Sequence, residues 1–243
     1  MKLYGLIGRE LGHSWSQQYF SEIFRNEGIQ NVDYRLFPLK EISELPSLLS
    51  KNPDICGLNV TIPYKETVLP YLDQIDPVAE KIGAVNTIKI QDGKLTGYNT
   101  DIAGIRGSLA PLLAGRMERA IVLGTGGAAK AVCHVLEEIG IEQLIVSRQN
   151  GNGDRTYKDL SEEDIRSHEL IINCTPLGMH PNIKGLPPIP YNAIGEQHIL
   201  FDLVYNPEET IFMKKGLEHG ALVENGIDML KLQAEESWKI WNE

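Results

Sequence analysis

Ala120-Ile121-Val122-Leu123-Gly124-Thr125-Gly126-Gly127-Ala128-Ala129-Lys130-Ala131 decides the fold. The first four residues are a continuous apolar run, the composition of a strand buried on both faces of a parallel sheet. The run enters a glycine-rich turn, and a helical pattern continues through Ile139. This is the pattern Gly-x-Gly-x-x-Gly/Ala set between strand and helix, where a dinucleotide-binding loop belongs. In that role Gly124 permits the tight turn, Gly126 lets the backbone approach a pyrophosphate, and Ala129 allows the helix to pack closely on the strand. Thr125, Gly127 and Ala128 complete the loop. The alternative is a glycine-rich turn that holds no ligand.

Downstream, residues 143–147 read as the next strand, followed by Ser147-Arg148-Gln149. An NAD site would place Asp or Glu here for the ribose hydroxyls. A guanidinium instead suits a 2′-phosphate, so the sequence favours NADP. Residues 149–155 are polar and rich in Gly and Asn, which predicts a mobile loop. A strand over 170–173 ends in Cys174-Thr175-Pro176-Leu177-Gly178-Met179, and 181–190 is a Pro-rich loop. A strand over 199–204 has Asp202 inside it and leads to Tyr205-Asn206-Pro207. A helix over 208–219, a short strand over 221–223 and a last helix from Gly226 finish the chain. Gln233 projects from the middle of that helix, ordinarily an exposed position.

Upstream, strands and helices also alternate, the mark of an α/β unit. Residues 2–7 and 32–39 read as strands, with a helix ending at Gly28 between them and a helical stretch over 41–49. His13-Ser14-Trp15-Ser16 precedes the first helix. Ser14 or Ser16 could be its N-cap, and two hydroxyls beside free backbone N–H groups also make a carboxylate or phosphate site. His13 has no partner at metal-ligand spacing and reads as structural.

Asn59-Val60-Thr61-Ile62-Pro63-Tyr64-Lys65 begins as a strand, with Asn59 and Thr61 on one face. Pro63 suits the first position of a helix, which puts Lys65 in the first helical turn. The positive end of a helix dipole disfavours an ammonium there and makes Lys65 a candidate for proton transfer. A lone Lys is otherwise a solvated surface residue. A helical segment runs to Ile82 and breaks at Gly83-Ala84; residues 85–90 and 94–98 form a hairpin around Asp92-Gly93. Asn99-Thr100-Asp101 opens another helix, with Asp101 a good N-cap, and the composition shifts at Gly115. The domain junction is placed across the helix between Asp101 and Leu113.

A length of 243 residues allows one large or two modest domains. The formal net charge of −10 argues against nucleic acid or an anionic membrane as the main partner. Three cysteines, Cys56, Cys133 and Cys174, lie far apart and read as small buried thiols in a reducing compartment, not as disulfides or a zinc site. No stretch is apolar and long enough for a signal peptide or a membrane span, so a cytoplasmic protein is expected.

Taken in order, these patches resemble the shikimate dehydrogenase family over nearly the whole chain. The matches are the Ser14/Ser16 pair, 59–65, Gly83-Ala84-Val85-Asn86-Thr87 and Gly97-Tyr98-Asn99-Thr100-Asp101, then the Gly124 loop, 173–179, 202–207 and 226–234. The resemblance implies an N-terminal α/β substrate domain with a mixed sheet (1–101 plus 226–243) and a Rossmann-like NADP domain (102–225). The last helix would pack back on the first domain. It implies Lys65 and Asp101 as the catalytic pair. Ser14 and Ser16 would hold a substrate carboxylate with Tyr205 near it, and Asn59, Thr61, Asn86 and Gln233 would bind ring hydroxyls or the catalytic Lys. The cofactor would lie on Gly124, Thr125, Gly126, Gly127 and Ala128, with Arg148 at the 2′-phosphate and Ser147, Gln149, Thr175, Leu203 and Gly226 also binding it. No metal is implied. The activity implied is reversible reduction of 3-dehydroshikimate to shikimate by a monomer or homodimer.

The chain departs from the family pattern at Gln17, where a Pro is usual, at Arg9-Glu10, and at Ser147 and Gln149 around the retained Arg148. Two other readings are a relative accepting quinate or NAD and a non-catalytic nucleotide-binding regulator; loss of Lys65 or Asp101 would mark the regulator, and both are present.

Overall fold

The computed structural model describes residues 1–12, 15–113 and 117–243, so His13, Ser14 and Gly115 lie outside the described residues. Two compact units are present: residues 1–100 with 234–243, and residues 101–233.

In the first unit the order is β1 (Lys2–Gly8), α1 (Trp15–Asn26), β2 (Val32–Pro38), α2 (Leu45–Lys51), β3 (Ile55–Val60), β4 (Gln74–Ile75), α3 (Pro77–Ile82), β5 (Thr87–Gln91) and β6 (Lys94–Tyr98). The strands form one six-stranded mixed sheet, β2-β1-β3-β5-β6-β4. β1 pairs in parallel with β2 and β3; β5 is antiparallel to β3 and β6. Asp92 and Gly93, both at positive φ (52° and 76°), close the β5–β6 hairpin. Both turn residues must take that conformation for the twist of two short-linked strands to match. Alternation along β1 sends Leu3 and Ile7 into a core with Leu58, Val60 and Ile88. Tyr4 and Leu6 face a second core with Phe20, Phe24, Tyr34 and Trp241. The end of the chain's last helix is held here: Trp241 stacks on Tyr4 at 4.7 Å and donates from Nε1 to the Ile88 carbonyl at 2.9 Å.

The second unit runs α4 (Asp101–Leu109), β7 (Arg119–Leu123), α5 (Gly127–Glu138), β8 (Glu142–Ser147), β9 (Arg155–Thr156), α6 (Glu162–Arg166), β10 (Leu170–Asn173), β11 (Ile199–Asp202), α7 (Ile211–Glu218), β12 (Leu222–Asn225) and α8 (Ile227–Asn242), whose last turns belong to the first unit. Its sheet is wholly parallel in the order β12-β11-β10-β7-β8-β9. The winding direction reverses between β7 and β10. In a doubly wound sheet ligands bind outside the carboxyl ends of the strands at such a reversal. Among the described residues no helix is long and apolar enough to cross a membrane.

Several expectations are corrected. No helix follows Pro63; the chain passes through turns to a 3-10 segment at Leu69–Tyr71. Val68 N bonds the Tyr64 carbonyl at 2.9 Å, but the next rung is missing because the Lys65 carbonyl accepts from Val85 N at 2.7 Å. Pro70 has no N–H to extend the ladder. Lys65 therefore does not lie in the first turn of a helix. The polar loop after Ser147 is tied at its far end: Asp154 N bonds the Ile145 carbonyl at 2.8 Å, and Asp154 Oδ2 accepts from Ile145 N at 2.8 Å. It leads into β9, which with β4 and α6 was too short to show as a periodic pattern. The three cysteines are half-buried and free, not fully enclosed. Burial still pushes the Cys133 thiol up to about 11 and raises Cys174, so both resist forming thiolates.

Candidate functional site

The first unit builds a buried polar network from five pieces of chain. Asn59, on β3, is buried and fully engaged. Its Oδ1 accepts from the Tyr34 phenol at 2.8 Å, and its Nδ2 donates to Ser237 Oγ at 3.0 Å and Thr87 Oγ1 at 3.2 Å. Thr87, Thr100 and Ser237 close a triangle of hydroxyls at 2.8 to 3.2 Å. Asn86 Oδ1 accepts from Thr100 N at 2.7 Å and from the Thr100 and Thr87 hydroxyls at 3.2 Å each. A buried network with its members paired is rigid, because any rotation leaves a desolvated group without a partner. With Oδ1 so committed, the Asn86 amide must present its NH2 group on its other side.

Two neighbours in sequence do the assembling. Val85 N holds the Lys65 carbonyl at 2.7 Å, and Asn86 holds the backbone of Thr100, the residue before Asp101. Lys65 and Thr100, distant in sequence, are thus tied to adjacent residues of one loop. Lys65 is half-buried, and Asp101 is buried as the first residue of α4, not the residue before it. Thr61 is half-buried beyond the end of β3, its N–H bonded to the Ile7 carbonyl at 2.9 Å. Tyr64 anchors the loop through Oη to the Leu39 carbonyl at 2.6 Å. Ser16 is half-buried in the first turn of α1.

In the second unit, Leu123, Asn173, Asp202 and Asn225 stand opposite one another across the sheet, a row at the strands' carboxyl ends. The Gly124 loop begins there. Gly124 has φ +116°, and a Cβ on it would lie 3.2 Å from Thr175 Cγ2, so the loop after β7 and the turn after β10 meet at the reversal. Thr175 is set by Asn173, whose Oδ1 accepts from Thr175 N at 3.1 Å and Oγ1 at 2.6 Å. Asn173 in turn donates to Asp202 Oδ1 at 2.9 Å. Asp202 also accepts from Val204 N at 3.0 Å and from Thr210 Oγ1 at 2.6 Å. Burial pushes the Asp202 carboxyl up to about 6 against the opposing pull of those donors. Leu203 and Gly226 touch: a Cβ on Gly226 would stand 2.2 Å from the Leu203 carbonyl oxygen. Tyr205 is half-buried beyond them, and burial raises its phenol.

Gly126 is different. It is the N-cap of α5, and a Cβ there would meet nothing within 4 Å. Nothing in the protein demands glycine at that position. A pyrophosphate on the first N–H groups of this helix would. Thr125, Gly127 and Ala128 flank it half-buried, and Ala129 is buried against the sheet. At the end of β8 the buried Ser147 hydroxyl is spent on the turn: it donates to the Gln149 carbonyl and accepts from Gln149 N at 3.2 Å. Arg148 and Gln149 are exposed beside it, and the Arg148 charge acts on the buried Tyr157 phenol, lowering it slightly against a burial effect that takes it to about 12. The residues present fit a phosphorylated dinucleotide.

Gln233, expected on the surface, is buried, with Nε2 donating to the Leu230 carbonyl at 2.9 Å. Ser14 lies outside the described residues. Tyr34, Thr87, Thr100, Asn173 and Ser237 escaped the sequence reading. Asp202, an acid inside an apolar strand, carried a visible signal, since such a group must be paired to be tolerated. Ser237, beside Glu235 and Glu236, reads as an ordinary surface residue.

The family model described as the shikimate dehydrogenase substrate binding domain matches residues 6–88. An NADP(+) shikimate dehydrogenase of Clostridium beijerinckii is 41% identical over 256 residues, which cover 100% of this chain and 93% of that protein. A solved shikimate 5-dehydrogenase of Thermus thermophilus, in complex with NADP(H) and shikimate, is 29% identical with a TM-score of 0.88, covering 99% of this chain and 93% of that one. A quinate dehydrogenase of Corynebacterium glutamicum in complex with NAD is 25% identical with a TM-score of 0.84, covering 99% and 93%.

Proposed function

This chain belongs to the shikimate dehydrogenase family, and from that premise we propose the residues that carry its reaction. The protein is an NADP-dependent oxidoreductase of the shikimate pathway that interconverts 3-dehydroshikimate and shikimate. The observation that carries the residue roles is the loop at Val85 and Asn86, which binds the backbone of Lys65 with one residue and that of Thr100 with the next.

NADP(H), bound along the carboxyl ends of β7, β8 and β10, supplies or takes up the hydride. Lys65 hydrogen-bonds the ring ketone oxygen, draws electron density toward it, and gives a proton to the alkoxide. In the reverse direction it takes the alcohol proton. Asp101 is the second member of the catalytic pair and balances the Lys65 charge. Asn86 donates from its amide NH2, Thr61 and Gln233 contact ring hydroxyls, and Asn59 acts from behind as the hub that fixes Asn86. Ser14 and Ser16 hold the substrate carboxylate with Tyr205 near it. The open space at Gly126 receives the pyrophosphate, with Thr125, Gly127 and Ala128 around it. Arg148 pairs with the 2′-phosphate as a charge-assisted donor, and Gln149, Thr175, Leu203 and Gly226 line the rest. We place the protein in the cytoplasm as a monomer or homodimer, with substrate and cofactor as its small-molecule partners.

A second reading, oxidation of quinate or use of NAD, draws on the likeness to the quinate dehydrogenase, since one added hydroxyl is accepted by small pocket changes. The test is purified protein with NADP+ or NAD+ and shikimate or quinate, followed by reduced-cofactor absorbance. Reduction confined to shikimate with NADP+ is expected. Lys65→Ala is expected to lower kcat by about a hundredfold or more, the lower range for a general acid–base group, with NADP+ affinity nearly unchanged. Loss of cofactor binding in that variant would make Lys65 a structural residue.

A further inference from the structure

We propose that Tyr34 is a positioning residue for the substrate side of the site: its buried phenol donates to Asn59 at 2.8 Å and so holds the network around Asn86 and Thr100. This rests on the substrate and the Asn86 role proposed above. The ring cannot move. It is 2% exposed, stacks on Phe20 at 4.6 Å and 18°, and sits on β2 directly opposite Tyr4 of β1.

The proton directions follow from Asn59. Its amide nitrogen has acceptors in Ser237 Oγ at 3.0 Å and Thr87 Oγ1 at 3.2 Å, so its oxygen faces Tyr34. The phenol must then donate to Asn59. Gln17 reaches the Tyr34 carbonyl at 3.5 Å, a long contact that adds little. At the far end the same network turns Asn86 and fixes the backbone before Asp101. Without the phenol oxygen, Asn59 Oδ1 loses its Tyr34 donor in a buried place, so the amide that holds Asn86 loosens and the ring contacts with it.

The core supplies a matched control. Tyr4 lies in the same aromatic cluster, and its hydroxyl is buried with no hydrogen-bond partner among the described residues. Tyr34→Phe and Tyr4→Phe delete the same atom from neighbouring strands. Tyr34→Phe is expected to raise the shikimate KM about tenfold, the scale of one buried hydrogen bond, with kcat changed less than about threefold and NADP+ affinity within about twofold. Tyr4→Phe should leave all three unchanged. If Tyr34→Phe does not fold, Ser237→Ala decides: it leaves Asn59 bonded to Tyr34 and Thr87, and should raise the shikimate KM about threefold without moving NADP+ affinity. Equal effects of the two Phe variants, or parallel losses in shikimate and NADP+, would each overturn the proposal. Wild-type protein that neither binds nor oxidises shikimate would instead overturn the functional reading, and this proposal with it.

Discussion

Replacing Asp202 with asparagine should remove a specific part of the protein's pH-dependent stability. Asp202 has no exposed surface, and burial raises its carboxyl from 3.8 to about 6. At roughly 1.4 kcal/mol per pKa unit this is about 3 kcal/mol. The folded-state value lies above the unfolded one, so the native state binds the extra proton. The contribution is full below about pH 4 and is lost as pH rises through about 6. The facing groups, Tyr191 and Cys174, are raised by burial and stay neutral over this window. Asparagine keeps one oxygen for Asn173 Nδ2 and Val204 N. Toward Thr210 it presents a donor where the carboxylate accepted, and the Thr hydroxyl can reverse its role at a cost of about 1 kcal/mol. Urea unfolding of both proteins between pH 4 and 8 reads the result. The stability of the wild type relative to Asp202→Asn should fall by about 3 kcal/mol across that range. Other carboxyls titrate in both proteins and cancel in the difference. A difference flat to about 0.5 kcal/mol, or one rising with pH, would refute the assignment of a buried, proton-binding Asp202.

Two glycines separate folding from binding. Gly226→Ala forces a Cβ to 2.2 Å from the Leu203 carbonyl and should destabilise by about 1–3 kcal/mol. Gly126→Ala, with open space around its Cβ, should leave the melting temperature nearly unchanged while weakening NADP+ affinity; the opposite pattern would place the ligand elsewhere. Arg148→Ala should weaken NADP+ by about tenfold or more and leave NAD+ within about twofold, since only the former carries the 2′-phosphate. Equal losses for both cofactors would exclude that contact.

The sequence by itself determined the parts whose chemistry is local. The apolar strand running into Gly124 and Gly126 needs only backbone sterics to be read, and both glycines stand where a close turn and an open helix N-terminus require them. The Asp92-Gly93 hairpin and the αL Gly83 that ends α3 are equally local. Arg148 after β8 was legible because no acid stands in its place. The order of the matching patches carried the family.

Tertiary structure alone decided the rest. Pro63 reads as a helix start, yet Val85 takes the Lys65 carbonyl and the helix never propagates. Helix propagation depends on a ladder of local bonds, and one long-range bond of similar strength is enough to end it. Asn59 reads as a ligand-facing amide on an alternating strand, but Tyr34, Thr87 and Ser237 surround it. Gln233 and Ser237 read as surface residues on a polar helix, and both are buried. Whether a polar side chain meets solvent, substrate or another side chain depends on what the chain brings over it. Here the covering pieces come from β2, β5 and the last helix, at sequence separations that no local pattern encodes.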